Sequence, residues 1–509
     1  MREIINKILS KYLVYRYSSI DKFIKNPVET QEQIFNYLIE SGKRTKWGNE
    51  YGYDKITDYK DFCARVPINI YDELKPYISR MMHGESDVLW PGKINMYSKS
   101  SGTTEDKSKF IPVTLENLKE THIKGGWDVV SILYKNRPDS KLFAAKNLIM
   151  GGSLQRYDEN PEVIIGDVSA LMMDNMPYIG KAFHTPEMEI ALLSDWNTKI
   201  PKMAEITSRE NVAVFGGVPS WLLVLFRYML KVTGKEKLTE IWPNLEAYMH
   251  GGVNFAPYRS QFKDIIPNDD FLYFNVYNSS EGYFAIQDEI NTENDEMLLL
   301  LNSQIFYEFL PFDQYGSKNP DTITIKDVEK GVNYVMLINT NSGLWRYVVG
   351  DTIEFTSTNP HKIKITGRTK HYINVFGEEV MVSNTDKALE LALAKHNAKI
   401  TEYSVAPVFI DGNSKGGHQW VIEFSLAPQN LSEFQTDLDK NLQSINSDYE
   451  AKRFNDYVLQ ELKIDAVPKG TFYRWMDSRG KLGGQNKVPR LSNNRNIIES
   501  LLEIGKSLQ

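Results

Sequence analysis

Phe271-Leu272-Tyr273-Phe274-Asn275-Val276-Tyr277-Asn278-Ser279-Ser280-Glu281-Gly282 passes from an apolar run directly into a polar turn. A short run of bulky apolar residues bounded by Asn, Ser and Gly predicts a buried strand over 271–277. In open α/β sheets ligands gather beyond the carboxyl ends of the strands. Ser280 and Glu281 are therefore placed to meet a phosphate and its Mg²⁺, and Tyr277 to stack on a base. Taken alone, the motif reads better as a strand-ending turn with a solvated glutamate.

Outward from it, similar apolar runs occur at 147–151, 211–215, 297–302 and 334–339, with a helical stretch at 221–232. Short buried strands alternating with helices predict an α/β domain built on a mostly parallel sheet. Over 297–366 the pattern changes to consecutive strands and turns, which predicts a small β-barrel-like subdomain. The first 45 residues read as helical: Ile4, Ile5, Ile8, Leu9 and Leu13 recur at helical spacing, and a second run over 28–39 follows Asn26-Pro27. A boundary is expected at Thr366-Gly367, dividing the chain into 1–366 and 367–509. The second part restarts with helices at 384–396 and 431–443 and strands at 405–410 and 420–426, a smaller α+β domain. Residues 477–487 read as an exposed loop.

With 509 residues, the chain has room for two to four domains at about 150 residues each. Lys plus Arg is 59 and Asp plus Glu is 66, a net charge of −7, so there is no basic surplus for nucleic acid or an anionic membrane. The single cysteine, Cys63, excludes an intrachain disulfide framework. The first residues, Met1-Arg2-Glu3-Ile4-Ile5-Asn6-Lys7, lack an apolar signal core, and the most apolar long stretch, 211–230, is broken by Gly216, Gly217, Pro219 and Arg227. The expectation is a cytoplasmic monomer with no nucleic-acid or membrane partner. The sequence contains no HExxH, GxSxG, GxxxxGK[ST] or GxGxxG, which lowers the standing of zinc hydrolases, serine hydrolases and dinucleotide dehydrogenases.

Four further segments could carry chemistry. Ser100-Ser101-Gly102-Thr103-Thr104, closing on Lys107 and Lys109, has the hydroxyls, the permissive glycine and the cations to wrap a polyphosphate, though such a loop is more often a linker. In Arg346-Tyr347-Val348-Val349-Gly350-Asp351, Gly-Asp interrupts a strand pair as a turn or bulge, and Asp351 could grip two ribose hydroxyls. Gly367-Arg368 falls at the boundary, and Gln485-Asn486-Lys487-Val488-Pro489-Arg490 in the tail. Each is weak alone.

Their order is specific. Together with Asn26-Pro27, Thr45-Lys46-Trp47-Gly48, Tyr71-Asp72-Glu73-Leu74-Lys75-Pro76 and Ile78-Ser79-Arg80-Met81, they resemble, nearly end to end, the Gretchen Hagen family of acyl acid–amido synthetases within the adenylate-forming enzymes. The resemblance implies a large N-terminal domain over 1–366 that binds ATP and an acyl group, and a mobile C-terminal cap over 367–509. It implies ATP and Mg²⁺ as cofactors, and a carboxylic acid that is adenylated and passed to an amino acid. Ser100, Ser101, Gly102, Thr103, Thr104 and Lys109 would hold the β- and γ-phosphates. Tyr277 would flank adenine, Ser280 contact the α-phosphate, Glu281 bind Mg²⁺, Asp351 hold the ribose and Arg368 assist from the hinge. Lys487 would neutralise charge as the acyl-adenylate forms. Lys109 is assigned over Lys107, although Ser108 departs from the proline that the family usually carries before the loop lysine. Acyl-pocket candidates are 211–224 and 250–255. Two alternatives are thioester formation with coenzyme A from the same adenylate and a non-catalytic nucleotide-binding relative. The scattered basic residues after 369 favour an amino acid over coenzyme A.

Overall fold

Proline at 27 presets a helical φ at a position whose N–H needs no partner, and the helix it starts runs Pro27–Gly42. Helix Arg2–Arg16, which the spacing of Ile4 to Leu13 predicts, and a further helix, Ser18–Lys25, precede it. Gln31 then pins the third helix to the sheet: its amide nitrogen, Nε2, donates to the carbonyls of Leu301 and Ile305 at 2.8 and 2.9 Å. The computed structural model describes residues 2–101, 108–252, 255, 258–289, 295–318, 320–369, 372–410, 415–456, 458–479 and 488–508.

Among the described residues, eleven strands form one sheet. His184–Thr185, Lys146–Ile149, Val212–Gly216, Ala247–Gly251 and Leu272–Asn278 pair in parallel. From Leu272–Asn278 the order continues antiparallel through Tyr283–Ile286, Met297–Leu299, His361–Arg368, Tyr347–Thr358, Asn333–Thr340 and Ile305–Pro311. The β-rich stretch expected over 297–366 is thus the antiparallel end of the same sheet. Met297–Leu299 is the reason: it pairs with Tyr283–Ile286 on one edge and His361–Arg368 on the other, so the two halves share one ladder. A separate four-stranded sheet runs Ser108–Pro112, Met96–Ser101, Asn160–Gly166, Leu154–Tyr157.

After residue 367, Lys399–Val408, Gly417–Leu426 and Lys463–Val467 form a three-stranded sheet with helices Val382–Lys395, Leu431–Ile445 and Asn496–Lys506. One apolar cluster crosses from the first part into the second, joining Trp221 and Phe262 to Phe376 and Tyr403. Polar contacts follow the same seam: Tyr258 donates to the Val375 carbonyl at 2.6 Å and Gln261 to that of Ile410 at 2.6 Å. Among the described residues no helix is long and apolar enough to cross a membrane.

Candidate active site

The polar residues after Leu272–Asn278 close a tight hairpin into Tyr283–Ile286. Ser279 and Gly282 exchange backbone hydrogen bonds at 2.9 and 3.3 Å, leaving Ser280 and Glu281 at the tip. Ser279 Oγ accepts from the Glu281 N–H at 3.2 Å and donates to its Oε2 at 2.9 Å, while Tyr347 donates to Oε1 at 3.4 Å. Glu281 is 6% exposed. Burial raises its pKa because the charged form loses water, and the nearby Lys109 ammonium opposes that shift.

Ser98 Oγ donates to Ser280 Oγ at 3.0 Å and so fastens this tip to Met96–Ser101. That strand pairs with Ser108–Pro112 in a register that sets Ser100 directly across from Lys109. The two strands that flank the predicted phosphate loop are therefore an antiparallel pair tied through Ser98 to the tip that carries Glu281.

Gly350-Asp351 makes a bulge rather than a turn. Tyr347–Thr358 is one strand, its pairing slips between Val335 and Leu337 of the neighbour, and Gly350 takes φ +99°, a value that favours glycine. The register sets Asp351 opposite Arg368. The Tyr277 hydroxyl donates to the Asp351 carboxylate, and the Tyr277 ring meets Phe284 edge-on at 4.9 Å.

Ser100, Lys109, Tyr277, Ser280, Glu281 and Asp351 border one cavity of about 860 Å³. Gly102, Thr103, Thr104, Lys107 and Lys487 lie outside the described residues, and Ser101 and Arg368 are described by backbone register alone. Both acyl-pocket candidates reach the same cavity, through Val214, Gly216 and Gly217 and through Gly251, Gly252 and Phe255. His250 stacks on Phe255 at 4.1 Å, and burial pushes its imidazole down to about 3.

Other wall residues were not singled out from sequence. Trp127, Phe143, Met172, Met173 and Met176 supply an apolar side, and Glu379 and Asp448 contribute carboxylates from beyond residue 367. Met172 lies in helix Val168–Asp174 and Met176 beyond its end, so no single helical spacing announces the pair. His184 also borders the cavity; burial pushes it down to about 4, against the Pro186 and Ile149 carbonyls, which favour its protonated form.

Models of the GH3 family match three successive segments: its N-terminal domain over residues 16–271, its central domain over 298–368 and its C-terminal domain over 383–496. The chain belongs to the GH3 family. Curated relatives include an indole-3-acetic acid-amido synthetase, GH3.4, of Arabidopsis thaliana, 23% identical over 92% of this chain and 90% of that protein. A 4-substituted benzoates-glutamate ligase, GH3.12, of the same plant is 23% identical over 95% and 94%. Among solved structures, the GH3.15 acyl acid amido synthetase superposes with a TM-score of 0.61 at 18% identity, over 97% of this chain and 95% of the other. A 2-hydroxyisobutyryl-CoA ligase gives 0.57 at 13% identity, over 94% and 92%. These likenesses show that the GH3 chain shares its fold with both solved proteins.

Proposed function

We propose that this GH3 chain is an AMP-forming ligase that adenylates a carboxylic acid with ATP, releasing pyrophosphate, and passes the acyl group to the amine of an amino acid, releasing AMP. One observation carries the reading: side chains from separate strands and hairpins, Ser100 and Lys109, Ser280 and Glu281, and Tyr277 and Asp351, meet at one cavity that also has an apolar wall.

A carboxylate resists an amine because it is anionic and lacks a good leaving group, and attachment to AMP removes both obstacles. In this reading Ser100, Ser101, Gly102, Thr103, Thr104 and Lys109 hold the β- and γ-phosphates. Ser280 meets the α-phosphate and the acyl carboxylate attacks there, so charge neutralisation and positioning do most of the work. Asp351 accepts from the ribose hydroxyls, Tyr277 borders the adenine, and Arg368 and Lys487 add positive charge as the adenylate forms.

Among the described residues no three His, Cys, Asp or Glu side chains cluster as a metal cage. The donor set still suits Mg²⁺, which is commonly held by one or two carboxylates together with substrate phosphates. Glu281 would hold it, and when bound the ion supplies further neutralisation of the phosphate oxygens. A buried carboxylate whose charged form lacks water gains from such a cation.

The working boundary is proposed at 366/367, with the C-terminal part turning between the two half-reactions. Glu379 and Asp448 favour an ammonium-bearing acceptor over coenzyme A, whose phosphates they would repel. The enzyme is read as a cytoplasmic monomer, which fractionation and sedimentation check. Exchange of labelled pyrophosphate into ATP, screened over aryl, indole and fatty acids, tests the first half-reaction. Exchange that depends on one class of acid is the expected result, and none with any acid overturns the reading.

A further inference from the structure

Tyr372–Ile373 and Val380–Met381 pair as a hairpin, and the loop between them, 374–379, brings Asn374, Val375 and Glu379 to the cavity. Among the described residues beyond 367, only Phe409, Asp448 and Asn493 join them there. The loop is not relaxed. Gly377 takes φ +86° and Glu379 φ +36°, and a residue other than glycine keeps such a backbone only where its surroundings over-determine it.

The fastening is a buried pair. Glu378 is fully buried and His418 is 1% exposed. One carboxylate oxygen of Glu378, Oε2, accepts from the Phe376 N–H at 2.6 Å, and the other, Oε1, accepts from His418 Nε2 at 2.9 Å. A buried carboxylate costs free energy unless its oxygens are engaged, and here both serve to tie the loop down. His418 lies in Gly417–Leu426, the central strand of the three-stranded sheet, so the loop is anchored to a regular element. Two amides complete the fastening: Asn446 donates to the Glu379 carbonyl at 3.2 Å, and Asn374 to that of Gly252 at 3.4 Å. Across the cavity, Ser280 and Glu281 are held by Ser98, Ser279 and Tyr347, all before residue 367. The two sides of the cavity are thus built by separate devices.

Resting on the ligase reading above, we propose that Glu378 and His418 are positioning residues of the acceptor step: the pair holds loop 374–379 so that Glu379 stands at the cavity to receive the ammonium of the incoming amino acid. Adenylation does not draw on the pair.

Two rates measured on the same protein test this: acid-dependent exchange of pyrophosphate into ATP, and amide formation against amino acid concentration. Glu378→Leu and His418→Leu should raise the KM for the amino acid about tenfold or more, while exchange stays within about twofold of wild type. His418→Gln, whose Nε2 keeps a donor for Oε1, should recover most of the loss. Gly377→Ala strains the same loop without unpairing the buried charge, since a Cβ there meets the Lys452 side chain at 3.2 Å, and it should raise that KM too. It decides the matter where the leucine variants do not fold. A merely structural pair would lower both activities alike through the folded fraction and leave KM unmoved. Equal losses in both half-reactions, or an amino acid KM that none of these variants moves, overturns the proposal. Wild-type protein that gives neither exchange nor amide removes the ligase reading itself, and this proposal with it.

Discussion

Around Glu308, in the antiparallel half of the sheet, a buried carboxylate is fully engaged. It accepts from Arg346 Nε at 3.0 Å, Asn339 Nδ2 at 2.9 Å, Tyr59 at 3.0 Å and Thr322 at 2.9 Å. Arg346 in turn donates to the Val66 carbonyl at 2.9 Å and to Thr322 at 2.7 Å, although its backbone is held at φ +44°. On the cavity wall of the parallel half, by contrast, Asn147 and His184 are each held on one side by a backbone carbonyl, that of Leu142 and that of Pro186. The first region uses its polar atoms to hold a bulged, strained strand in place. The second engages its polar side chains less completely. Both belong to one sheet, so the difference marks role and not stability of the element.

The largest effect is expected from Lys487, which lies outside the described residues. Lys487→Ala should lower the rate of adenylation by about a hundredfold or more while ATP affinity changes little, because in the proposed reading its charge serves the transition state. Exchange rates beside an ATP titration check this, and equal losses in both would move Lys487 to ground-state binding.

In the first region, Arg346→Met should destabilise the fold by about 3–5 kcal/mol, since it strands the buried Glu308 charge. Thermal melts with Glu308→Leu and the double variant measure it. The double variant should recover much of the loss, and a single-variant loss below about 1 kcal/mol would erase the contrast between the regions.

Asp351→Ala should weaken ATP binding by roughly tenfold through loss of the proposed ribose grip, and should lower stability by about 1–3 kcal/mol because it leaves the buried Tyr277 hydroxyl without its acceptor. Titration with ATP separates this from a folding defect.

Acid should weaken the cavity side. Burial lowers His122 and His184 to about 4 and His250 to about 3, below their ordinary 6.5. The unfolded chain therefore binds more protons between 6.5 and those values, so stability rises with pH there and is lost as pH falls from 6.5 towards 4. Melting temperature against pH reads this directly, and replacing His122 or His184 by an uncharged residue should flatten the slope.

The smallest effect belongs to Tyr347→Phe. It removes a 3.4 Å hydrogen bond to Glu281 and should cost less than about 1 kcal/mol, seen as a modest rise in the Mg²⁺ needed for exchange.

Local chemistry explains what was legible beforehand. The run 271–277 reads as a buried strand because bulky apolar residues end at Asn, Ser and Gly, and the structure has Leu272–Asn278. Helix Pro27–Gly42 announces itself by its proline. The long-range facts were not legible. Nothing local in Met297–Leu299 says that its two edges join opposite halves of a sheet. Ser98 became informative only when Ser280 came within hydrogen-bond reach. Asn147 and His184 are ordinary residues in sequence; only the fold sets them side by side, with a backbone carbonyl holding one side of each. Motif order pointed to the residues proposed for the nucleotide, while the apolar side of the cavity is a product of packing.

The most direct test supplies a responsive acid, ATP and Mg²⁺ together with either a pool of amino acids or coenzyme A, and identifies products by mass. The account predicts AMP and an acyl–amino acid amide in the first mixture, with no thioester in the second. A thioester without any amide would contradict it.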